Sequence, residues 1–291
     1  MNAMQLTKKV FALVFVLVLG FPVAASAIVN PDPVHSKNVP SAVVALHLYA
    51  DKTPAGGTQY CSGTVIAPVW VLTAGHCVFS DMKPSDMYVS TLVNRQRVTA
   101  KVVGIFVHPK FDISWYSVSH DVALLRLEAP IPGVEPIPAV GKNDQAALED
   151  PQGFLLYGWG FAFTGTPDSM KNRPGFLDGS PLLPKRPRGV VQFLDQDPKI
   201  EYDPRMHIAA LHVSGGLMQG SCNGDSGGPL VSAHGGKLRV VGVVSYGSPE
   251  CLESVAGINT RVSRYSGWIR NTMGNYPGGS SSQTHEPAQG M

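Results

Sequence analysis

The chain has 291 residues, of which 44% are hydrophobic and 15% are charged. This length suits one large domain or two small ones and is enough to bury a substantial core. The formal net charge of +2 is too small to indicate a nucleic acid or an anionic membrane surface as a partner. The 31 glycines and 24 prolines favour a turn-rich β protein over a helical bundle.

The N-terminus has the pattern of a secretory signal peptide. Lys8 and Lys9 precede an apolar run over residues 10–19, and the small residues Ala25-Ser26-Ala27 follow. A membrane-spanning anchor is the alternative, but it needs about 20 apolar residues. We therefore predict a signal peptide over residues 1–27 and a mature chain that starts at Ile28. The mature protein would be secreted, to the extracellular space or the periplasm, with no membrane attachment.

Most of the exported part reads as short strands separated by turns. Apolar segments, partly β-branched, predict strands at residues 41–46, 69–72, 99–107, 122–127 and 238–245. Gly- and Pro-rich pieces lie between them, without intervening amphipathic helices. This pattern favours an antiparallel barrel or sandwich over a βαβ sheet.

The remaining segments predict loops, one helix and a tail. Residues 160–188 show little periodicity and several prolines, which indicates long surface loops. Near the C-terminus, residues 263–273 predict a helix with an apolar stripe made by Tyr265, Trp268, Ile269 and Met273. Residues 276–291 are polar and predict a flexible tail.

Four cysteines lie in the exported part: Cys61, Cys77, Cys222 and Cys251. An even number in an oxidising compartment predicts two disulfides, for which three connectivities exist. Metal binding is the weaker alternative, because neither pair has the close double spacing of a zinc site and no histidine cluster adjoins them. We expect no metal and no organic cofactor.

A glycine-rich segment around Ser226 is the first candidate for catalysis. It reads Cys222-Asn223-Gly224-Asp225-Ser226-Gly227-Gly228-Pro229. A serine hydroxyl is a poor nucleophile unless a neighbouring base takes its proton. The glycines allow a tight turn that exposes the hydroxyl and directs the N–H groups of Gly224 and Ser226 at one point, as a developing oxyanion needs. Taken alone, the segment also fits an ordinary glycine-rich β-turn.

His76 and Asp121 are the candidates for a base and for the carboxylate that orients it. His76 follows the strand predicted at 69–72 and precedes Cys77, whereas Asp121 stands at the start of a strongly apolar strand. A carboxylate in such a place must be hydrogen-bonded, or its burial costs several kcal/mol. Singly, His76 fits a structural or exposed histidine and Asp121 a turn cap. The chain order His, Asp, Ser is the order found in chymotrypsin.

Three motifs make the sequence resemble the chymotrypsin/trypsin-like serine endopeptidases: Ala74-Gly75-His76-Cys77, Asp121-Val122-Ala123-Leu124-Leu125 and Gly224-Asp225-Ser226-Gly227-Gly228-Pro229. The resemblance implies an all-β fold over residues 28–275, a double antiparallel β-barrel (chymotrypsin-like) with a C-terminal helix. The boundary between the barrels would fall near residues 136–150. The resemblance also implies His76 as general base and then acid, Asp121 as the orienting carboxylate and Ser226 as the nucleophile. It further implies the disulfides Cys61–Cys77 and Cys222–Cys251.

The same resemblance implies where the substrate side chain binds. The pocket floor is the residue six positions before the nucleophile, Gly220, which is followed by Ser221; neither is charged. The pocket walls map to Ser245, Tyr246, Gly247 and Gly257. Glycine at both wall positions resembles open pockets, so we expect cleavage after apolar residues, aromatic or long aliphatic. Glu250 and Glu253 flank Cys251 and leave a basic preference open.

The family also implies an activation step, in which the freed ammonium of Ile28 pairs with Asp225. Because Ile28 follows the signal directly, signal removal would itself activate the protein. We therefore expect a monomeric, secreted endopeptidase that acts on protein or peptide substrates. One alternative is a catalytically silent binding protein on the same fold. The other is an esterase, although the G-x-S-x-G elbow of α/β-hydrolases is matched only superficially because their triad order differs.

Overall fold

The computed structural model describes residues 39–49, 58–78, 80–114, 117–149, 154–160, 203–210, 212–214, 217–219, 221–247 and 257–276. Several predictions concern residues outside these ranges: the signal peptide, Ile28, the loops after residue 160, Gly220, Glu250, Cys251, Glu253 and the tail from residue 277. The extent of the protease domain and the barrel boundary near 136–150 remain predictions.

The first half of the described chain forms a closed barrel. Its strands are β1 (Val43–Leu48), β2 (Thr58–Ala67), β3 (Trp70–Thr73), β4 (Met87–Val93), β5 (Gln96–Val107), the short hairpin β6 (Asp112–Ser114) and β7 (Ser117–Ser119), and β8 (Ala123–Leu127). Six of them close antiparallel in the order β1-β2-β3-β8-β5-β4. Closure pairs the edge strands of the sheet, which leaves no open edge for another chain. The β-branched and aliphatic residues of β1, β3 and β8 are buried, except for the partly buried Leu48.

The second half contains a five-stranded antiparallel sheet. Its elements are α1 (Gln145–Leu148), β9 (Phe154–Leu156), β10 (His207–Ala210), the hairpin β11 (His212–Ser214) and β12 (Leu217–Gln219), β13 (Pro229–Ser232), β14 (Arg239–Tyr246), β15 (Gly257–Arg261) and α2 (Val262–Asn275). The sheet has the order β10-β15-β14-β13-β9. Together with the closed barrel, it matches a chymotrypsin-like double barrel, so the predicted all-β fold is confirmed.

The five predicted strands correspond to β1, β3, β5, β8 and β14, with shifts of at most three residues at their ends. The predicted helix lies within α2, where Tyr265 and Ile269 are buried and Trp268 and Met273 pack against the core. No helix in the described ranges is long and apolar enough to cross a membrane.

Trp159 joins the two halves. It follows β9 in the second half and is almost fully buried, and its indole N–H donates to the carbonyl of Val43 on β1 at 2.9 Å. A single hydrophobic cluster contains buried residues of both halves. The site residues described next therefore rest on a common core.

Candidate active site

Strand pairing brings His76 and Asp121 together. In the antiparallel pair of β3 and β8, Thr73 lies opposite Ala123, so the end of one strand meets the start of the other. His76 lies in a short 3-10 turn after β3, and Asp121 lies two residues before β8. The His76 ring nitrogen Nδ1 is 2.8 Å from Asp121 Oδ2, and the His76 backbone N–H donates to Asp121 Oδ1 at 2.8 Å.

The Asp121 carboxylate is buried yet well supplied with donors. The hydroxyl of Ser245 on β14 donates to Asp121 Oδ2, and Thr260 Oγ1 on β15 donates to the Asp121 backbone carbonyl at 2.8 Å. Burial alone would raise the pKa of Asp121, but the hydrogen bonds from His76 and Ser245 and the attraction of His76 together hold this pKa below its usual range. The carboxylate is therefore ionised where it contacts the imidazole.

The segment that carries Ser226 is a tight turn held from both halves. Gly224 and Gly227 adopt φ of +90° and +80°, which L-residues with side chains rarely adopt. The backbone N–H of Ser62 on β2 donates to the Ser226 carbonyl at 2.7 Å, and the Gly227 N–H donates to Val244 on β14 at 2.8 Å. A Cβ at Gly227 would lie 2.2 Å from Thr73 Oγ1, so only glycine fits here.

Ser226 lies next to the turn that carries His76. The sulfur of Cys77, the neighbour of His76 in the chain, is 3.5 Å from the Ser226 carbonyl oxygen. The structure thus brings all three predicted triad residues to the junction of the two halves. With Nδ1 engaged by Asp121, Nε2 is the nitrogen of His76 that remains to exchange a proton with a substrate or nucleophile.

Asp225 is fully buried beside the same turn. Its Oδ1 accepts from the Gly160 N–H at 2.9 Å and its Oδ2 from the Cys222 N–H at 2.8 Å. Burial raises the pKa of Asp225 well above its usual range, and the two hydrogen bonds only partly oppose this. A Cβ at Gly158 would lie 2.2 Å from Asp225 Oδ1, which shows how closely the chain surrounds the carboxylate. The partner implied for it, Ile28, lies outside the described residues.

The cysteines form disulfides. The predicted Cys61–Cys77 bond is present, with its Cα atoms 6.1 Å apart. Cys222 is also disulfide-bonded, and its predicted partner Cys251 lies outside the described residues. In the described part of the chain, ligand atoms of Cys61, His76 and Cys77 lie within 4.8 Å of one another. Both sulfurs are bonded to each other and are not thiolates, so this cluster does not suit a metal ion.

Residues predicted for the substrate pocket also converge. A Cβ at Gly257 would lie 3.2 Å from Ser221 Oγ, and a Cβ at Gly247 would lie 3.7 Å from the Gly257 Cα. Tyr246 lies opposite Ile258 in the β14–β15 pair, and its ring meets the ring of His207 edge-on at 5.7 Å. These residues lie close together at the adjoining ends of β14 and β15, but Gly220 lies outside the described residues.

Sequence reasoning assigned Ser245 only to the pocket wall and missed the polar contacts that Ser245 and Thr260 make with Asp121. Neither residue belongs to a local motif, and both lie more than 120 positions from Asp121 in the chain. A single hydroxyl at the end of an apolar strand is the only signal that the sequence contains.

A pair of stacked histidines adjoins Asp121. The rings of His108 and His120 are parallel, with centroids 4.9 Å apart, and the ring of Tyr265 on α2 meets both edge-on. His120, directly before Asp121, has a φ of +51°. Burial, together with the charges of His120 and Lys110, lowers the pKa of His108 to about 4. The pKa of His120 is also lowered, chiefly by burial.

The fold and this site define a chymotrypsin-like serine protease architecture. The family model described as Trypsin matches residues 36–175 and 189–269, which is well over half of the chain. The chain therefore belongs to the trypsin family. The unmatched residues 176–188 fall within the segment where the sequence predicts long loops.

The histidine pair predicts an acid-sensitive stability. In the unfolded chain the side chain of His108 binds a proton below about pH 6.5, whereas in the folded protein it binds one only below about pH 4. Between these pH values the unfolded state therefore holds more protons than the folded state. The contribution of His108 is complete above pH 6.5 and is lost as the pH falls toward about 4. We expect the free energy of unfolding, measured in urea, to fall over this range and to fall less in His108→Gln.

His234→Gln, at an exposed histidine, is the matched control and should leave the pH dependence unchanged. A pH dependence that His108→Gln and His234→Gln alter equally would contradict the role of the stacked pair.

Proposed function

We propose that this protein is a secreted serine endopeptidase that hydrolyses peptide bonds through an acyl-enzyme on Ser226. The observation that carries the proposal is the double hydrogen bond from His76 to the buried, ionised Asp121. This contact fixes the imidazole tautomer and orientation that a general base requires. Membership of the trypsin family supports peptide bonds as substrates.

The mechanism follows from the roles of the three side chains. Ser226 Oγ attacks the scissile carbonyl carbon while Nε2 of His76 takes its proton, and Asp121 stabilises the imidazolium that forms. The N–H groups of Gly224 and Ser226 bind the oxyanion of the tetrahedral intermediate. His76 then gives its proton to the leaving amine, and the acyl-enzyme remains. A water molecule, activated by the same imidazole, releases the acid and restores Ser226.

Hydrolysis of casein by the secreted protein tests this proposal. Ser226→Ala should lower kcat/KM by about 10⁴- to 10⁶-fold, because the nucleophile is lost while binding remains. The active form must carry the neutral imidazole of His76, since only the neutral ring accepts the proton of Ser226. Ser85→Ala, at an exposed serine of the closed barrel, is the control and should retain full activity.

The outcomes separate the alternatives. A correctly folded wild-type protein that cleaves neither casein nor a simple ester would contradict the proposal and favour the catalytically silent binding protein. Ester cleavage without casein cleavage would favour an esterase. An activity that is maximal at pH 4 would contradict His76 as the base.

We further propose that the pocket accepts apolar side chains, aromatic or long aliphatic. Ser221, Gly247 and Gly257 supply no charge, and the two glycines leave the cleft open. Gly220 at the floor is uncharged as well. Cleavage after Lys or Arg on a peptide library would contradict an apolar pocket and favour a role for Glu250 and Glu253.

Gly247→Val should narrow the proposed substrate pocket. Its Cβ would start 3.7 Å from the Gly257 Cα, and its methyl groups would fill the space between the two strands. We expect kcat/KM for a substrate with Phe before the cleaved bond to fall by about 10- to 200-fold, the range for one or two methylene-sized changes in a pocket. A substrate with Ala there should be affected little. Gly267→Val, on an open face of α2, is the control, and an unchanged Phe/Ala ratio in Gly247→Val would refute the assignment.

We also propose that removal of the signal peptide activates the protein, because the ammonium of Ile28 then pairs with Asp225. The support is the state of Asp225, a fully buried carboxylate for which the described residues supply two N–H donors and no cation. A buried charge without a partner is costly, so a cation beside Asp225 would stabilise the ionised form of its carboxyl group.

Asp225→Asn should lower kcat/KM by about 10²- to 5 × 10³-fold. This corresponds to the roughly 3–5 kcal/mol lost when one partner of a buried ion pair is removed. Asp81→Asn, at an exposed acid, is the control. N-terminal sequencing of the active, secreted protein should give Ile28 as the first residue. An active protein that starts at another residue would contradict the activation proposal but not the protease proposal.

The remaining proposals concern the location, oligomeric state, partners and cofactors of the protein. The protein would act outside the cytoplasm as a monomer on protein or peptide substrates, without a metal or organic cofactor, and without binding nucleic acid.

A further inference from the structure

Ser62 contacts the nucleophile segment, residues 222–229 around Ser226, through its backbone N–H and its hydroxyl. It lies on β2 and is fully buried. Its N–H donates to the Ser226 carbonyl at 2.7 Å, and its hydroxyl donates to the Gly224 carbonyl at 2.8 Å. The same hydroxyl accepts from the Trp159 N–H at 2.8 Å, and the Ser62 carbonyl accepts from Thr73 Oγ1 at 2.8 Å. Ser62 thus holds Gly224 and Ser226, the two residues whose N–H groups would form the oxyanion hole.

The hydroxyl of Ser62 restrains the peptide group between Gly224 and Asp225. The carbonyl oxygen of this peptide receives Ser62 Oγ and, at the longer distance of 3.3 Å, Nε2 of Gln59. Its N–H donates to the Cys222 carbonyl at 3.0 Å. Hydrogen bonds at both ends of this peptide group restrain rotation about the Gly224 Cα–C bond, and together with the φ of +90° at Gly224 they restrain the direction of the Gly224 N–H.

Neighbouring atoms also pack closely against Gly224 on the side where a Cβ would lie. A Cβ at this position would lie 2.8 Å from the Gly160 Cα and 3.1 Å from Gln59 Nε2. Gly160 directly follows Trp159, whose N–H is bound to the Ser62 hydroxyl. The hydroxyl therefore ties together the two chain segments that pack against each other at Gly224.

We propose that Ser62 is a positioning residue for the oxyanion hole, whose hydroxyl bridge between Gly224 and Trp159 keeps the Gly224 N–H directed at the developing oxyanion. The inference rests on the proposed function, of which the oxyanion hole is a part. Because the Ser62 backbone N–H holds Ser226 whatever the side chain is, substitution of the side chain isolates the effect on Gly224.

Ser62→Ala and Ser62→Cys test the inference against Ser90→Ala. Ser90 is an equally buried serine on β4 of the same barrel, and its hydroxyl is 2.8 Å from a ring nitrogen of His47. It therefore matches the burial and the loss of a hydrogen-bonded hydroxyl, which makes one contact in Ser90 and two in Ser62, but it does not contact the nucleophile segment. Cysteine at position 62 keeps the size of the side chain with a weaker donor, so it remains informative if the alanine variant folds poorly.

Three readouts distinguish positioning from mere stability: kcat and KM on one peptide substrate, Ki for a peptidyl aldehyde, and hydrogen exchange of residues 221–228. The aldehyde forms a hemiacetal with Ser226 that places an oxygen in the oxyanion hole. For Ser62→Ala we expect kcat to fall by about 10- to 100-fold, less than the 10²- to 10³-fold loss from removing a donor itself. KM should stay within about threefold, and Ki for the aldehyde should rise by the factor by which kcat/KM falls. The kcat and the aldehyde Ki of Ser62→Cys should lie between those of the wild-type protein and those of Ser62→Ala.

Each outcome decides the inference. Wild-type kcat and aldehyde Ki in Ser62→Ala would overturn it while leaving the protease proposal intact, and so would a loss of kcat equal to that of Ser90→Ala. If the wild-type protein proves to have no activity and does not bind the aldehyde, the proposed function fails, and exchange alone decides the positioning claim. Faster exchange at residues 221–228 in Ser62→Ala but not in Ser90→Ala supports it, and equal exchange in the two variants overturns it.

Discussion

The buried carboxylate of Asp121 is the constraint on which the rest of the site depends. It accepts hydrogen bonds from the backbone and ring of His76, at the end of β3, and from Ser245 on β14. Its backbone carbonyl accepts from Thr260 on β15. A buried carboxylate without such donors would cost several kcal/mol. The donors come from both halves of the molecule, so Asp121 has its full set of hydrogen bonds only when the barrel and the second sheet are docked.

The nucleophile segment also depends on contacts from both halves of the molecule. Ser62 on β2 holds the carbonyls of Gly224 and Ser226, while Val244 on β14 accepts from the Gly227 N–H. The close approach of Thr73 to Gly227 explains why the turn requires glycine, since a side chain there would separate β3 from the turn. The proposed base, His76, and the proposed nucleophile, Ser226, are thus positioned by the same docked strands. A shift between the halves would disturb both.

The sequence predicts part of this arrangement because some of its signals are local. Apolar, β-branched runs specify β3 and β8, and their ends carry His76 and Asp121. The glycines around Ser226 indicate a turn that needs positive φ, and the structure shows such values at Gly224 and Gly227. The fold class follows from many short strands without intervening amphipathic helices, and the closed barrel with its accompanying sheet confirms it.

The polar contacts that complete the site could not be predicted in this way. Ser62 and Gly224 are 162 positions apart, and Ser245 and Asp121 are 124 positions apart. Each contact depends on how two separately formed sheets dock, and a lone serine in an apolar strand does not indicate its partner. Ser62 lies in the same strand as Cys61 and Gly63, where the disulfide is the only feature that the sequence marks.

The central claim is that Ser226 is a nucleophile activated by His76, and a covalent fluorophosphonate probe followed by peptide mass mapping tests it most directly. The account predicts one phosphonyl group per chain, on the peptide that contains Ser226, with labelling lost in Ser226→Ala and strongly slowed in His76→Ala. Labelling of another residue, or a folded and secreted wild-type protein that takes up no probe, would contradict it.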